Sequence, residues 1–375
     1  MIAIRKSPDT AEKLATLSRD SRYDLACACA TRADEHRRRS PDDTWIYPVI
    51  HPDGRATFLF KVLLSNECVN RCAYCPLRAG ADIARCTLAP EELARAFLSY
   101  YRAGRVSGLF LSSAVRGSPD DTMERINRVA VSLRRARFRG YIHLKIIPGA
   151  SDAAIEQALG LATAVSLNIE TAGEANFRRL DTGKEYLRDI VRPMRLIGAL
   201  TAKGRRYAGV KQTTQFVVGA AQETDAELIR YTWRLYKGLG LARVYFSAYQ
   251  RAAGSAALSP VRGNRDLLMR EHRLYQADWL IRKYGFAADE IPLGPDGNLS
   301  LEADPKEIWA RAHPEFFPVA VNRDDAARLL RVPGIGQVAA KRILALRRDG
   351  TSFRSPEDLA RAVVLRGKAV PYLSF

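Results

Sequence analysis

The chain has 375 residues, 47% of them hydrophobic, and this composition predicts a folded protein of about two domains rather than a disordered chain. It has no apolar run of about eighteen residues and no apolar signal segment at its N-terminus, so we expect no membrane span, no secretion and a cytoplasmic location. The 59 Lys and Arg residues against 41 Asp and Glu give a net charge of +18, which favours a polyanionic partner, nucleic acid before anionic lipid. Six cysteines are too few for a disulfide scaffold and indicate metal ligation.

Strand-like and helix-like patterns alternate through the first two thirds of the chain. A helix is predicted over Thr10–Leu17, followed by a polar, Arg-rich stretch around residues 37–39. The strand-like runs that follow are Phe58–Leu64, Gly108–Leu111, Tyr141–Ile147, Ala164–Ile169, Thr214–Val218 and Arg243–Ser247. The helical patterns between them are Pro90–Arg102, Met123–Arg135, Asp152–Leu159, Tyr186–Ala202 and Asp225–Leu239. About six parallel βαβ units are fewer than the eight of a closed barrel, so the α/β pattern predicts an open, partial (β/α)6 barrel.

The composition changes after this alternating region. A long helix is predicted over Arg265–Tyr284, then a connector rich in Pro and Gly, then a basic segment with eleven Lys and Arg against five Asp and Glu over residues 319–375. We therefore predict four segments. They are an N-terminal helical and Arg-rich segment (1–50), the partial barrel (51–260), a helical extension with the connector (261–318) and a basic C-terminal module (319–375).

Three cysteines, Cys68, Cys72 and Cys75, follow the first predicted barrel strand with the spacing C-x3-C-x2-C. Three thiolates on one short loop can bind three irons of a [4Fe–4S] cube, which leaves the fourth iron open to a substrate. A zinc site normally has a fourth Cys or His close by, and none follows at such spacing. The spacing favours the iron–sulfur cluster, with zinc and clustered core thiols as the alternatives.

The three other cysteines are Cys27, Cys29 and Cys86. A C-x-C pair with one distant thiol is a poor cage for a second cluster. Buried or incidental thiols are therefore favoured, and an auxiliary cluster is the alternative.

The C-x3-C-x2-C spacing, with Tyr74 before the last cysteine and a position after the first strand of an α/β series, resembles the radical S-adenosylmethionine (SAM) enzymes. In that family the open iron binds the amino and carboxylate groups of SAM, and one electron from the cluster cleaves the sulfonium to give a 5′-deoxyadenosyl radical that abstracts hydrogen. The resemblance implies an enzyme with a [4Fe–4S] cluster and SAM as cofactors, and an electron donor such as flavodoxin or ferredoxin.

The resemblance also implies roles for polar residues at the predicted strand ends, where parallel α/β folds gather reactive groups. Ser112 and Ser113 stand where many relatives have a Gly-Gly-Glu that binds the methionyl ammonium, and their hydroxyls can accept the same donors. Ser166, Asn168 and Glu170 share one face at period two and correspond to residues that contact the ribose and the methionyl group. The implied cofactor-binding set is Tyr74, Ser112, Ser113, Ser166, Asn168, Glu170 and Gly219, the glycine for close approach to adenine. For each residue alone, an ordinary polar strand end is the alternative.

A glycine-rich turn, Val332-Pro333-Gly334-Ile335-Gly336, stands between two helical patterns within Leu329–Arg348 and resembles the helix-hairpin-helix of DNA repair and replication proteins. Such a turn presents the amides of its second helix to a phosphate, and basic residues one turn further add charge. The predicted nucleic-acid-binding residues are Pro333, Gly334, Ile335, Gly336, Lys341 and Arg342, which would position DNA without reading its sequence. A plain αα-corner packed on the barrel is the alternative.

Three stretches, Tyr141–Gly149, Arg270–Leu280 and Leu329–Gly336, resemble a narrower group of prokaryotic radical SAM proteins assigned to DNA modification or repair. Members of that group are typically encoded beside, or fused to, a uracil-DNA-glycosylase-like protein. The resemblance therefore implies a DNA substrate and a partner protein of that kind. The alternatives are an RNA-modifying radical SAM enzyme, a cluster-containing DNA-binding scaffold for a glycosylase, and a zinc-binding nucleic-acid module.

A substrate opening is predicted near basic residues of the third strand and the long helix. Lys145 ends the third predicted strand, where its ammonium can meet a carboxylate or a phosphate. Arg270, His272 and Arg273 lie on the predicted helix Arg265–Tyr284 and are predicted to line the opening. Helix surface packed on the barrel is the alternative for each of them.

Overall fold

The computed structural model describes residues 8–21, 45–50, 56–180, 182–249, 258, 264–363 and 367–375. The predicted Arg-rich stretch and Cys27 and Cys29 lie outside these residues. The chain divides into two compact units, one of Met1–Glu223 with Arg234–Leu268 and the other of Thr224–Trp233 with Met269–Phe375. The four predicted segment boundaries stay predictions.

The first unit is built on a seven-stranded sheet whose strands lie in chain order. The strands are β1 (Ile46–Ile50), β2 (Ala56–Leu63), β3 (Gly108–Ser112), β4 (Tyr141–Lys145), β5 (Ala164–Ser166), β6 (Lys211–Val218) and β7 (Arg243–Ala248). β1 pairs antiparallel with β2, and every later neighbour is parallel. Since β2 to β7 are six parallel strands in sequence, the predicted (β/α)6 order is confirmed, and β1 is an addition that the sequence reading missed.

Helices connect these strands. They are α1 (Thr10–Asp20), α2 (Pro90–Arg102), α3 (Pro119–Arg135), α4 (Asp152–Leu161), α5 (Glu174–Arg178), α6 (Arg192–Thr201) and α7 (Asp225–Leu239), with a π-helix at Tyr186–Val191. The starts follow capping chemistry: the Ser118 side chain accepts from the Asp121 amide at the start of α3, and Pro119 occupies its first turn. The single helix predicted over Tyr186–Ala202 is thus a π-helix followed by α6.

The sheet curls around its own interior. Alternate residues of the strands point to one shared cavity, including Tyr47 of β1, Lys61 of β2, His143 of β4 and Tyr245 of β7. The residues between them are buried on the other face, where the helices pack, as Val62 and Phe246 illustrate. Because side chains from the first and last strands line one space, the sheet forms an open partial barrel.

β5 is shorter than its predicted counterpart. It ends at Ser166 instead of Ile169, and Glu170 has a left-handed backbone with φ of 66°. Pairing with β6 resumes at this residue, since the Glu170 amide donates to the Gln215 carbonyl at 3.1 Å and its carbonyl accepts from Val217 at 2.7 Å. The kink aims the Glu170 side chain at the strand ends rather than along a regular strand.

The second unit holds the C-terminal helices. Its elements include α8 (Asn264–Tyr284), α9 (Pro305–Ala312), β8 (Val319–Ala320), α10 (Ala326–Arg331), α11 (Gln337–Arg348), α12 (Pro356–Ala362) and β9 (Leu373–Ser374). A buried apolar core joins the last of these elements, with Leu329, Ile343 and Leu359 fully buried. None of the helices in the described ranges is long and apolar enough to cross a membrane.

Candidate active site

The segment after β2 carries Cys68, Cys72 and Cys75, and the guanidinium of Arg85 organises it. The two terminal nitrogens of Arg85 donate to four backbone carbonyls of the loop, those of Asn66, Leu77, Arg78 and Ala81. The contacts to Leu77 and Arg78 measure 2.9 and 2.8 Å. A planar group with five donors can satisfy several carbonyls at once, so Arg85 fixes the path of the cysteine loop.

The same loop is also tied to its neighbours by backbone bonds. The Val69 amide donates to the Val115 carbonyl at 2.8 Å, and the Ala73 amide donates to Leu180 at 2.9 Å. The Asn66 side chain is fully buried and accepts from the Cys86 amide at 2.7 Å. The loop is therefore anchored from three sides while its thiols stay directed at one cavity.

This cavity, of about 190 Å³, lies where the parallel strands end. The three cysteines and Tyr74 line it from the loop. Five further predicted residues line it from the strand ends: Ser112, Ser113, Lys145, Asn168 and Glu170. Residues that lie up to 102 positions apart in the chain thus meet at one site, as the rule for parallel strand ends predicts.

Buried polar atoms face this cavity. Burial and the nearby Glu170 carboxylate, which is hydrogen-bonded to Tyr74, raise the pKa of the Tyr74 phenol well above its usual value. The Asn168 carbonyl oxygen Oδ1 is buried, and no donor reaches it among the described residues. An unsatisfied buried acceptor costs about 1–3 kcal/mol, so Asn168 is suited to a ligand that supplies the missing donor.

Lys184 is a member of the site that the sequence reading missed. Its Nζ lies 3.3 Å from Cys72 Sγ, although the two residues are 112 positions apart. Burial raises the pKa of Cys72 while Lys184 opposes the shift; burial likewise raises the pKa of Cys75 to about 12. Other lining residues were also missed, among them the polar residues Gln215, Ser247 and Tyr249. No local spacing links any of these residues to the cysteines.

Two of the implied cofactor residues lie apart from this cavity. Ser166 lines the cavity within the sheet instead, where its hydroxyl bonds to His143 Nε2 at 2.9 Å. Gly219 is outside the lining; its φ is 84° and its amide donates to the Glu223 carboxylate at 2.6 Å. Cys86 is buried and is likewise not a lining residue, and burial raises its pKa to about 11.

The arginines predicted to line a substrate opening on the long helix have partners within the second unit, and their role at an opening stays a prediction. Arg270 is 5% exposed and its Nε lies 2.6 Å from the Asp225 carboxylate, so its charge is used within the second unit. Arg273 is also buried and donates to the Gln276 side chain and the Leu301 carbonyl. His272 lies between them, and burial and the Arg273 charge lower its pKa. Of the four residues predicted at the opening, Lys145 lines the strand-end cavity.

The glycine-rich turn joins α10 to α11. Gly334 has φ of 85° and Gly336 is the N-cap of α11, so a glycine permits the reversal and leaves the helix end without a side-chain cap. Pro333 and Ile335 are buried, which makes them shaping residues of the turn. Lys341 and Arg342 are exposed on α11 and form no ion pair within the described ranges. The arrangement exposes two cations to solvent, while the Gln337 amide at the start of α11 is hydrogen-bonded to Tyr284.

A buried lysine supports this turn from below. The Lys306 ammonium of α9 donates to the Ile335 carbonyl at 2.7 Å and lies 4.5 Å from the Tyr284 ring centroid. Burial lowers the pKa of Lys306 to about 7. The Lys306 side chain therefore braces the hairpin through this hydrogen bond, and no sequence pattern singles it out.

The three thiols of the loop would fit an iron–sulfur cluster in which each cysteine binds a different iron atom. In the part of the chain that the structure describes, no three His, Cys, Asp or Glu side chains converge on one metal position. A cube needs no common point, and the thiols are close enough that Cys68 and Cys72 each raise the pKa of Cys75. The unsatisfied Asn168 oxygen and the Lys184 ammonium supply an acceptor and a cation beside it for a polar cofactor.

The C-terminal module matches a known family model. Residues 316–370 match the sequence model of a family described as the helix-hairpin-helix motif, which confirms that prediction. No curated protein matches the chain.

Several solved structures are similar to the chain over part of its length. The FeFe-hydrogenase maturase HydG from Carboxydothermus hydrogenoformans is 19% identical, with a TM-score of 0.47 over 60% of this chain and 51% of that one. SuiB of Streptococcus suis is 12% identical, with a TM-score of 0.46 over 61% and 48%. OxsB, described as a cobalamin-dependent S-adenosylmethionine radical enzyme, is 12% identical, with a TM-score of 0.37 over 72% and 41%. The chain spans about half the length of HydG and SuiB.

Proposed function

We propose that this chain is a radical SAM iron–sulfur enzyme that modifies or repairs DNA. The observation that supports it best is the meeting of Cys68, Cys72 and Cys75 with polar residues of the strand ends around one cavity. When bound there, a [4Fe–4S] cluster and SAM supply one-electron cleavage of a sulfonium and hydrogen abstraction from an unactivated carbon.

The residues of the chain bind and orient these groups. The three thiolates hold the cluster, and the Lys184 ammonium offsets their negative charge or binds the SAM carboxylate. The Glu170 carboxylate binds the methionyl ammonium, and Asn168 Oδ1 accepts a hydrogen bond from a ribose hydroxyl.

The cavity wall excludes water from the reacting groups. Ile146, Ile147 and Val217 line the same cavity as the thiols, and the first two are fully buried. An apolar wall protects a reactive intermediate from solvent and strengthens the electrostatic contacts beside it.

The C-terminal module supports DNA as the substrate. Its amides at the start of α11 and the exposed Lys341 and Arg342 suit backbone phosphates, which carry affinity but no sequence information. A target base inside a duplex must leave the stack before chemistry can reach it. A uracil-DNA-glycosylase-like protein and a flavodoxin or ferredoxin are the partners we propose with it.

The cofactor assignment is tested on protein purified and reconstituted without oxygen. We expect about four irons per chain and reductive release of 5′-deoxyadenosine from SAM. Cys72→Ala should lose both, whereas Cys86→Ala, a buried cysteine outside the cavity, should retain both. Unchanged 5′-deoxyadenosine release in Cys72→Ala contradicts the proposal.

The choice between DNA and RNA as the substrate is tested separately by competition binding of matched DNA and RNA strands. We expect DNA to displace labelled DNA at lower concentration than RNA of the same sequence. Preferential binding of RNA would favour the RNA-modifying alternative. Binding of DNA by a protein whose iron never promotes SAM cleavage would favour the glycosylase scaffold.

A further inference from the structure

A second cavity lies inside the partial barrel, below the strand-end site. Its volume is about 450 Å³, which falls within the range of small-molecule sites. It shares Lys145, Asn168 and Gln215 with the strand-end cavity, so the two adjoin. Interiors of small barrels are usually filled by side chains, and space left beside a reactive site is suited to a substrate.

Aromatic rings form much of its wall. The five rings are those of Tyr47, Phe110, Tyr141, His143 and Tyr245. His143 is fixed by the Tyr141 hydroxyl at 3.1 Å and packs on Phe110 with 4.4 Å between ring centroids. Rings held in place offer flat faces to a planar ligand without loss of side-chain freedom on binding.

Two polar groups of this cavity, the ammonium groups of Lys61 and Lys145, are donors only. Lys61 is 5% exposed, and its Nζ lies 4.8 Å from the Phe110 centroid. No Asp or Glu lines the cavity among the described residues, whereas Lys61 and Lys145 both do. The Thr213 hydroxyl is buried in the wall and has no hydrogen-bond partner in the described ranges. A planar ligand that carries oxygen acceptors or negative charge complements these groups.

We propose that this cavity receives the base of an extrahelical nucleotide and selects bases that carry exocyclic oxygens. The inference rests on the proposed function, since it names the substrate class of that same site. The aromatic wall stacks on the base, Lys61 donates to its carbonyl oxygen, and Thr213 completes a second hydrogen bond. Lys145, at the end of β4 where the two cavities meet, neutralises the adjoining phosphate.

The test uses two nucleotides that differ in the exocyclic group at C6 and in the proton on N1. Binding of 2′-deoxyinosine 5′-monophosphate, which has a 6-oxo group, is compared by calorimetry with 2′-deoxyadenosine 5′-monophosphate, which has a 6-amino group. We expect the inosine nucleotide to bind about tenfold more tightly, because a charged donor discriminates an acceptor from a donor. Lys61→Met should abolish this preference, while Lys237→Met on the exposed face of α7 should retain it.

The variant Thr213→Val allows stability and nucleotide binding to be measured separately, and a residue with only a structural role would not change them in opposite directions. Removing an unsatisfied buried hydroxyl should raise the melting temperature, yet the same change should weaken binding of the inosine nucleotide severalfold. Equal affinity for the two nucleotides in the wild type, or unchanged preference in folded Lys61→Met, overturns the inference. If the wild type cleaves SAM but binds neither nucleotide, the base pocket fails and the proposed function stands. If Lys61-dependent binding occurs in a protein that never retains iron, the proposed function fails instead.

Discussion

The two units use positive charge in opposite ways. In the barrel unit, Lys61 is buried in an aromatic cavity and Lys184 lies beside a thiol, whereas Lys341 and Arg342 of the C-terminal module are exposed. Burying a charge is costly unless a partner compensates it, so buried cations are suited to one specific ligand group. Exposed cations act at a distance and are screened by salt. Under the proposed function, this difference would give the barrel chemical selectivity and the module sequence-independent attachment to DNA.

Substitution of Arg85, which fixes the path of the cysteine loop, should have the greatest effect, and that effect should be confined to the iron site. In Arg85→Lys, one ammonium cannot bridge the four carbonyls that the guanidinium holds, so the loop should lose its path although all three thiols remain. We expect iron to fall from about four per chain to below about one. DNA binding should persist, because the module is unchanged.

The matched control for this change is Arg128→Lys, an exposed arginine of α3 paired with Glu91. It should keep the iron content and the SAM cleavage of the wild type. Full iron occupancy in Arg85→Lys would show that the loop does not depend on its guanidinium.

A second change acts on the module alone. Gly334→Ala places a side chain at φ of 85°, which costs about 1–2 kcal/mol, and should also misplace the amides of α11. We expect DNA affinity to fall about fivefold, while SAM cleavage stays unchanged. Fluorescence anisotropy with a labelled duplex measures the affinity.

Gly350→Ala is the control, because its φ is also 85° but it follows the other end of α11. It should destabilise the module by a similar amount and leave DNA affinity near the wild-type value. An equal loss of affinity in both variants would indicate unfolding rather than a lost phosphate contact.

A third change measures how the module holds DNA. Replacing Lys341 and Arg342 together by Met should lower the slope of log affinity against log salt by about 1.4–1.8, since each phosphate contact contributes about 0.7–0.9. Lys61→Met should leave this slope unchanged. An unchanged slope in the double variant, or a loss equal to that of the exposed control Arg361→Met, would exclude these two residues as phosphate contacts.

The smallest expected effect concerns Lys306. Burial lowers its pKa to about 7 in the folded protein from 10.5, so between these values the unfolded chain binds more protons and the free energy of unfolding rises with pH. The rise is at most about 1.4 kcal/mol per pH unit, and it is absent below pH 7, where the buried ammonium destabilises fully. Urea unfolding at pH 6.5, 7.5 and 8.5 should show this rise in the wild type and a flatter profile in Lys306→Met. The same rise in both would assign it to other groups.

The parallel barrel could be predicted because its signal is local and repeated. Six apolar runs alternate with amphipathic helices, and the structure retains that order. β1 was missed because Ile46–Ile50 contains Pro48, which weakens a strand pattern. The early end of β5 was missed because the left-handed turn at Glu170 gives no glycine signal.

The candidate site could be predicted only where its residues have a fixed spacing. The close spacing of Cys68, Cys72 and Cys75 within eight positions identifies them in the sequence. The strand-end residues are predicted from the order of the parallel strands. Lys184 reaches Cys72 from a loop between α5 and the π-helix, and nothing in its neighbourhood indicates that contact. The sequence predicts Arg270 at a substrate opening and does not show that Asp225 lies against it.

The open iron of the proposed cluster is tested most directly by the electron paramagnetic resonance spectrum of the reduced protein with and without SAM. If the three thiols leave one iron open beside Asn168 and Glu170, added SAM should change the g-values of the reduced cluster. The spectrum of Lys61→Met should respond in the same way, because that residue lies in the other cavity. A cluster signal that is identical with and without SAM would contradict the account.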